Sequence, residues 1–428
     1  MRADREEFAR DVRVIEEFML QHLYDMCKPA TDRLRYPFMD PGGHYGNNLW
    51  DWDSYWAGRA MVSLCDYFAQ DACAAQLRET TAKHIAGSVR NFLDMMEPDG
   101  FVPIMTTEDG VLERELRKMH AEGCVNQHKP FLAQNAKLAA DFTGQYDWVS
   151  ERFEGLERYF DFYRRNQKSG CGLYVFNNDV MIGVDNNPGV FARPPRSCAD
   201  LLLNVFLVEE FRAMAGLAER VGKSDRVKFY EEEAEALAAA VNELCYDEYY
   251  GFYFPVDVQV ETHRSEHFHH GLGAFWKVMP LKIRSFLGFL PMTEGIASEE
   301  RAAVMVERHF RDERMVAKYG VRTLASDERM YSLEKSNNPS NWLGPVWGIS
   351  NYLVFEGLRR YGYMPEAEEL CEKTVALFAK DIREYGVLSE SYLPDTGEPM
   401  LYHGFLNWNV LVLDMVKKCR ANREEDQT

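Results

Sequence analysis

The segment Asn47-Asn48-Leu49-Trp50-Asp51-Trp52-Asp53-Ser54-Tyr55-Trp56 runs directly into an amphipathic helical pattern at roughly residues 53–69. A helix N-cap needs a single acidic or hydroxyl side chain, so two aspartates interleaved with three tryptophans exceed what capping requires. Similar polar and aromatic joints precede other helical stretches farther along the chain. The repeated order of a polar and aromatic joint followed by a helix indicates a fold built from a series of similar helical units.

Helical periodicity dominates the whole sequence. Apolar residues recur at intervals of three and four in about twelve stretches. These stretches lie at roughly residues 5–27, 53–69, 71–96, 128–143, 146–167, 198–222, 224–246, 271–288, 299–312, 345–362, 364–383 and 404–420. Strand patterns are short and local, at Phe101–Met105, Leu173–Phe176 and Gly251–Val258. Strands and helices do not alternate as a parallel sheet requires, so we predict an all-α fold.

Twelve consecutive helices can pair into six hairpins that close into an (α/α)6 toroid. The joints before the odd-numbered helices are short and plain, whereas those before the even-numbered helices are rich in Trp, Asn, His, Gly and Asp. The rich joints are Asn47–Trp56, Asn126–Pro130, Gly183–Pro195, His267–Gly273, Asn337–Trp347 and His403–Trp408. All even-numbered helices of a toroid point the same way, so we expect these joints, with small β-hairpin insertions, to meet at one mouth. Loops gathered at one end of a rigid scaffold are typical of a binding cavity.

The length of 428 residues would ordinarily indicate two or three domains. No linker rich in Pro, Gly or Ser divides the chain, however. We therefore predict one domain over residues 1–420, followed by a charged tail over residues 421–428.

Charge and cysteine usage restrict the classes of partner. The chain has 68 acidic and 49 basic residues and a formal net charge of −19, which disfavours nucleic-acid and membrane-surface roles. The nine cysteines include no CxxC pair, a pattern typical of reduced thiols. The N-terminal sequence MRADREEFARDVR lacks the apolar stretch of a signal peptide. We expect a cytoplasmic protein, and the sequence does not indicate its oligomeric state.

The joints carry candidate site residues, each with a plainer structural interpretation. Tryptophan faces stack on the C–H surfaces of sugars and carboxylates accept hydroxyl hydrogen bonds, so the first joint favours a carbohydrate site over a packed helix start. Asp185 lies in a Gly-Val-Asp-Asn-Asn-Pro turn and is equally compatible with an Asx turn that has no chemistry. Glu390, in Ser389-Glu390-Ser391-Tyr392, is by itself a weak signal because a glutamate before a turn is usually solvated.

The sequence gives little indication of a cofactor. His267, His269 and His270 match no recognised zinc-ligand motif, so a polar cavity wall is favoured over a metal site. Glycine-rich phosphate loops, GxSxG elbows and HExxH motifs do not occur. We predict no cofactor and no catalytic metal.

Taken in order, the joints resemble motifs of the clan of toroid glycosidases that includes the trehalases and glycoside hydrolase family 63. The resemblance runs from about Tyr36 to about Trp408, and the chain is compact like small bacterial members that act on glucosylglycerate or mannosylglycerate. The similar segments are Trp52–Trp56, Gln127 with Pro130, Gly183–Pro188, Trp342–Trp347 with the following helix, Glu390–Tyr392, and Gly404-Phe405 with Trp408. Departures from the family pattern are Leu343 in place of Arg, His128-Lys129 in place of Pro, and the Asn407-Trp408-Asn409 sequence.

The resemblance implies an inverting α-glycoside hydrolase in which Asp185 is the general acid and Glu390 the general base. The substrate implied is glucosylglycerate, mannosylglycerate or a short α-glucoside. Arg193 or Arg322 is a candidate partner for an anionic aglycone, and both are equally compatible with simple pairing to surface carboxylates. The residues expected to bind substrate are Trp50, Trp52, Asp53, Gln127, Asn186, Arg193, Trp342, Trp347, Tyr392 and Trp408.

Two alternatives remain at the level of sequence. A sugar 2-epimerase-type isomerase has the same toroid and moves a proton with histidines, a role that would suit His267, His269, His270 and His403. A toroid that binds carbohydrate without catalysis would lack one of the two carboxylates, whereas Asp185 and Glu390 are both present.

Overall fold

The computed structural model describes residues 2–260, 277–334 and 340–425. Those ranges contain thirteen α-helices. They are α1 (Arg2–Gln21), α2 (Asp51–Tyr67), α3 (Ala74–Asp94), α4 (Val111–Ala121), α5 (Leu132–Thr143), α6 (Asp147–Asn166), α7 (Leu201–Arg220), α8 (Ser224–Leu244), α9 (Leu290–Thr293), α10 (Glu299–Met305), α11 (Gly348–Arg360), α12 (Met364–Tyr385) and α13 (Val412–Glu425).

Six of these helices form a closed inner ring. Each packs against the next in the order α2, α5, α7, α9, α11 and α13, and α13 returns to contact α2. Outer helices pack against this ring: α3 lies on α2, α8 on α7 and α12 on α11, while α1 lies against α12 and α13. Helices α2, α7 and α11 are buried along most of their length because the outer ring surrounds them. The protein is an (α/α)6 toroid, which confirms the predicted fold class.

The strands are short and lie in the connections between helices. They form five two-stranded sheets and one three-stranded sheet within the described ranges, and every pairing is antiparallel. Their bounds are β1 (Cys27–Lys28), β2 (Phe38–Met39), β3 (Asn48–Trp50), β4 (Met105–Thr107), β5 (Cys198–Ala199), β6 (Tyr246–Asp247), β7 (Phe252–Tyr253), β8 (Val256–Asp257), β9 (Met279–Pro280), β10 (Val316–Ala317), β11 (Gly320–Val321), β12 (Ser389–Tyr392) and β13 (Pro399–His403).

Two of these pairings hold segments that enter the mouth of the toroid. Strand β3 pairs with β4, with Trp50 opposite Met105, and thereby fixes the chain immediately before α2. Strand β12 pairs with β13, with Ser389 opposite His403. Glu390 is the second residue of β12. The predicted hairpin insertions are therefore present, and they position residues at the N-terminal ends of inner helices.

The eighth predicted helix, over residues 271–288, is wrong across its described part. Residues 277–285 contain only β9, and a 3₁₀ turn at Phe286–Phe289 leads into the four-residue α9. Pro280 explains the difference, since proline lacks an N–H donor and disfavours a helical residue before it. The predicted helix over 299–312 is divided into α10 and a π-helical turn at Val306–Phe310. The sequence pattern also missed α4, an insertion between α3 and α5.

Aromatic side chains fill the ring beneath the mouth. Trp56 of α2 packs against Phe131 and Phe206, with ring centroids 5.7 and 6.0 Å away, and against Tyr352 of α11 at 6.3 Å. One large apolar cluster joins the inner and outer rings. No helix in the described ranges is both long enough and apolar enough to cross a membrane.

Candidate active site

A cavity opens at the mouth of the toroid and encloses about 500 Å³ of space, part of it open to solvent. Five of the six predicted joints contribute side chains to its wall, and the sixth, His267–Gly273, lies outside the described residues. The lining residues are Pro41, Tyr45, Trp50, Trp52, Asp53, Lys129, Met181, Gly183, Asp185, Ser340, Trp342, Trp347, Glu390, Phe405 and Trp408. The helix order of the toroid thus brings distant parts of the sequence to one site.

Among the described residues, three carboxyl groups face this cavity: those of Asp53, Asp185 and Glu390. Asp53 lies in the first turn of α2 and accepts a hydrogen bond of 2.6 Å from Asn407 Nδ2. Burial raises the pKa of Asp53 to about 8, although the nearby Lys129 ammonium acts in the opposite direction. Burial also raises the pKa of Asp185, against the effect of a hydrogen bond with Ser340. Desolvation and mutual repulsion both favour protonated forms in such a group.

Glu390 lies in β12 with a side chain that is almost completely buried. Its Oε1 accepts a hydrogen bond of 3.0 Å from the Tyr45 hydroxyl. Burial raises the pKa of Glu390 to about 8, the Tyr45 hydrogen bond lowers it, and the charges of Asp53 and Asp185 raise it further. The other oxygen, Oε2, is buried without a hydrogen-bond partner in the described part of the chain. A water molecule or substrate in the cavity would supply that partner.

Tryptophan rings form much of the cavity wall. Trp342 and Trp347 stack with centroids 3.8 Å apart and planes 10° apart. Trp52 lies 6.1 Å from Trp342 and 5.2 Å from Trp408. The indole N–H groups of Trp50 and Trp408 are buried without acceptors among the described residues. Flat apolar faces with a few unpaired polar atoms are features of a site that binds a small polar ligand.

The turn that carries Asp185 is held on two sides. Asn186 accepts a hydrogen bond of 2.7 Å from the backbone N–H of Trp342 and donates one of 3.1 Å to Asn341. Asn187 donates to Asp200, and Asp200 caps the N-terminus of α7 through the N–H of Leu202. The Asp185 carboxyl is therefore positioned by both an inner helix and the neighbouring joint.

Comparison with known proteins identifies the family. The model of the mannosylglycerate hydrolase MGH1-like glycoside hydrolase domain matches residues 46–408, which include Asp53, Asp185 and Glu390. The chain belongs to this family. A mannosylglycerate hydrolase from Rubrobacter radiotolerans is 27% identical over 221 residues. That alignment covers 51% of this chain and 43% of the relative, so the chain spans less than half the length of that curated protein.

Solved structures share the fold of this MGH1-like glycoside hydrolase chain. The GH63 mannosylglycerate hydrolase from Thermus thermophilus in complex with Tris and D-glycerate superposes with a TM-score of 0.64 at 19% identity. The superposition covers 95% of this chain and 98% of the other. Neutral trehalase Nth1 from Saccharomyces cerevisiae has a TM-score of 0.60 at 16% identity, covering 90% of this chain and 73% of its own. Both comparisons support the toroid fold.

Family membership does not support the isomerase alternative, because the family is one of glycoside hydrolases. Three of the histidines on which that alternative depends, His267, His269 and His270, lie outside the described residues. His403 is exposed, and its Nδ1 lies 3.0 Å from Ser389 Oγ.

Several residues expected to bind substrate have other structural roles. The buried side chain of Gln127 accepts from Val102 N and donates to Gly100 O, so it braces a connection behind the cavity. The Tyr392 hydroxyl accepts from Ser389 N and donates to Asp381, which turns it away from the mouth. Neither side chain is among the described residues that line the cavity, and we correct both predictions.

The two arginines considered for an anionic aglycone are already paired with carboxylates. Arg193 forms an ion pair with Asp257, and Arg322 Nη2 lies 2.9 and 3.1 Å from the two Asp395 oxygens. Neither arginine lines the cavity within the described ranges. Asn186 also lies outside the lining and acts by positioning the Asp185 turn. Arg193 therefore pairs with a carboxylate in this structure, and the predicted contact with substrate is not among the cavity contacts of the described residues.

Some lining residues of this MGH1-like chain were not among the predicted site residues. Tyr45 follows the Pro41-Gly42-Gly43-His44 segment, and that glycine-rich turn before an aromatic residue was the signal available. Lys129 is recognisable in the sequence as a cationic donor of the Asn126–Pro130 joint and as a departure from the family's proline. Ser340 and Phe405 carry no motif of their own, so only the folded chain identifies them as lining residues.

Proposed function

We propose that this protein hydrolyses a small α-glycoside with inversion of configuration at the anomeric carbon. The observation that carries the proposal is that Asp185 and Glu390, from two different connections between helices, face one cavity walled by tryptophans. Membership of a glycoside hydrolase family supports the reaction type.

Asp185 would act as the general acid in this reaction. Its raised pKa favours a carboxyl group that holds its proton near neutral pH and donates it to the glycosidic oxygen as the C–O bond breaks. Glu390 would act as the general base and accept a proton from the water that attacks the anomeric carbon from the opposite face. The hydrogen bond from Tyr45 supports the ionised form of Glu390 that this role requires. Asp53 is suited to accept a sugar hydroxyl bond in the same pocket.

The proposed substrate class is a glucoside or mannoside with a small leaving group such as glycerate. The Rubrobacter relative is named for mannosylglycerate, and the Thermus relative was solved with D-glycerate. We further propose a cytoplasmic location, consistent with nine free cysteines. The proposed partner is the small carbohydrate substrate.

Anomer-resolved NMR on a panel of α-glucosides and α-mannosides, with and without glycerate aglycones, tests the proposal. We expect release of the free sugar, initially as the β-anomer. Initial release of the α-anomer would contradict inversion while leaving hydrolysis intact. Failure to cleave every compound in the panel would contradict the proposed activity.

A further inference from the structure

Lys129 is the only lysine or arginine among the described residues that line the cavity. Its side chain is 3% exposed, and its Nζ lies 2.8 Å from Oδ1 of the fully buried Asp51. The Lys129 backbone N–H donates to the other Asp51 oxygen, also at 2.8 Å. This buried ion pair joins the start of α2 to the joint before α5. Lysine is rarely buried this deeply unless it is paired, and Asp51 supplies that pair at the cavity wall.

The hydrogen bonds of the ammonium group leave one donor available. A lysine ammonium carries three N–H donors. One faces Asp51 and a second donates to the Met181 carbonyl oxygen at 3.2 Å. The described part of the chain provides no third acceptor, and the centroid of the Trp52 ring lies 5.8 Å from Nζ. A ligand in the cavity can therefore reach the remaining N–H.

The charges around Lys129 indicate what kind of group would accept this bond. Asp51 already neutralises the ammonium charge, and the carboxyl groups of Asp53, Asp185 and Glu390 face the same space. Lys129 paired with Asp51 therefore offers no net positive charge to an anionic group, whereas a neutral hydroxyl can still accept a charge-assisted hydrogen bond from the ammonium.

We propose that the third N–H of Lys129 donates a hydrogen bond to one hydroxyl of the sugar in the cavity, which makes Lys129 a specificity-determining residue. The inference rests on the proposed function, because it assumes that the cavity binds a sugar. Asp51 is then a positioning residue that fixes the direction of the ammonium group.

The test combines a substrate series with a charge-neutral double variant. Lys129→Met with Asp51→Asn removes both charges, so neither charge is left unpaired in the interior. The kcat/KM values are measured for a glycoside that the unmodified enzyme cleaves and for its 2-, 3-, 4- and 6-deoxy analogues. Lys83→Met, which removes a lysine paired with Glu79 on the surface of α3, is the matched control.

We expect the unmodified enzyme to lose about 10- to 100-fold in kcat/KM with one of the four analogues, the range for a hydrogen bond to a charged group. The double variant should lose a similar factor with the parent glycoside and no further factor with that analogue. For each compound, the ratio of kcat/KM in the double variant to kcat/KM in the unmodified enzyme cancels the intrinsic reactivity of that deoxy sugar. The proposal would be overturned if the double variant lost the same factor in kcat/KM for the parent glycoside and for all four deoxy analogues. It would also be overturned if the double variant kept the preference of the unmodified enzyme for the parent glycoside.

A binding measurement separates this inference from the proposed hydrolysis. Calorimetric Kd values for the free monosaccharide and its deoxy analogues require no turnover. Selective loss of affinity with one analogue, abolished in the double variant, supports the Lys129 contact even if no glycoside is cleaved. If the double variant does not fold, equal affinity of the unmodified protein for the monosaccharide and all four deoxy analogues would overturn the contact.

Discussion

Glu390 has two oxygen atoms in different environments: one accepts from Tyr45 and the other is buried without a partner in the described ranges. A general base needs such an arrangement, since one oxygen is oriented while the other remains available to water. At Asp185, as at Glu390, burial raises the pKa and a side-chain hydrogen bond, here with Ser340, lowers it.

Removing either carboxyl group should abolish most turnover. We expect Asp185→Asn and Glu390→Gln each to lower kcat by about 10²–10⁴-fold, the usual contribution of general acid or base catalysis. Steady-state kinetics checks the loss, and circular dichroism checks that the fold is kept. Glu232→Gln, on the exposed face of α8, is the control and should be fully active. Near-normal activity in either site variant would remove that residue from its proposed role.

Tyr45→Phe should shift the pH dependence of the reaction. The Tyr45 hydroxyl stabilises ionised Glu390, so its loss raises the pKa of Glu390 above its present value of about 8. The base acts only when ionised, and the acidic limb of the kcat/KM profile should therefore move to higher pH by about 1 unit. Activity falls most below pH 8 and recovers as pH rises. Tyr249→Phe, at an exposed tyrosine, should leave the profile unchanged, and an unshifted limb in Tyr45→Phe would argue against coupling.

Among the elements, the turn before Asp185 depends on a glycine. Gly183 has a φ of +92°, and a Cβ there would lie 3.3 Å from Lys129 Cδ and from the Trp52 ring. Gly172 has nearly the same φ, +94°, but nothing within 4 Å of its Cβ position. The two positions share backbone strain and differ in close contacts.

We expect Gly183→Ala and Gly172→Ala each to lose about 1 kcal/mol of stability from left-handed backbone strain. Only Gly183→Ala should also lower kcat, by about tenfold or more, because the displaced turn carries Asp185. Thermal melting and steady-state kinetics on both variants provide the comparison. A parallel loss of kcat in both would show that strain alone, not contact with Lys129 and Trp52, matters.

The sequence predicted the helices well where periodicity was long and uninterrupted, as in α2, α7 and α12. It failed where proline interrupts the pattern, in the region of α9. In the site, clustered motifs indicated Trp52, Asp185 and Glu390 as residues of one mouth. The directions of Gln127 and Tyr392 could not be predicted, because a motif gives a residue's place on the backbone but not the partner that its side chain selects. Both side chains hydrogen-bond to groups behind the cavity.

For the whole molecule, the carboxyl groups of the site make stability depend on pH. The folded-state pKa values of Asp53 and Glu390, about 8, exceed the usual values of 3.8 and 4.5. At pH values between about 4 and about 8, the folded protein therefore binds more protons than the unfolded chain. Stability contributed by these groups is therefore fully present below about pH 4 and is lost as pH rises through about 8.

Glu390→Gln should consequently stabilise the protein at alkaline pH. The amide cannot ionise, so the free energy of unfolding at pH 8.5 should exceed that of the unmodified protein by about 1.4 kcal/mol or more, the value of one pKa unit. The difference should vanish near pH 4, where the unmodified carboxyl is protonated in both states. Denaturant unfolding at the two pH values measures it. A gain of equal size at both would indicate a packing effect instead of ionisation.

The closed ring also determines when the site can come into existence during synthesis. Asp53 is hydrogen-bonded to Asn407, 354 residues away, and Tyr45 to Glu390, 345 residues away. A nascent chain emerging from the ribosome can form its early hairpins, but those contacts must wait until nearly all of the polypeptide has been translated. Contacts over such separations form slowly because loop closure precedes any gain from packing. We therefore expect a protein released early, before α13, to have no assembled cavity and to expose the apolar face of α2 to chaperones and proteases.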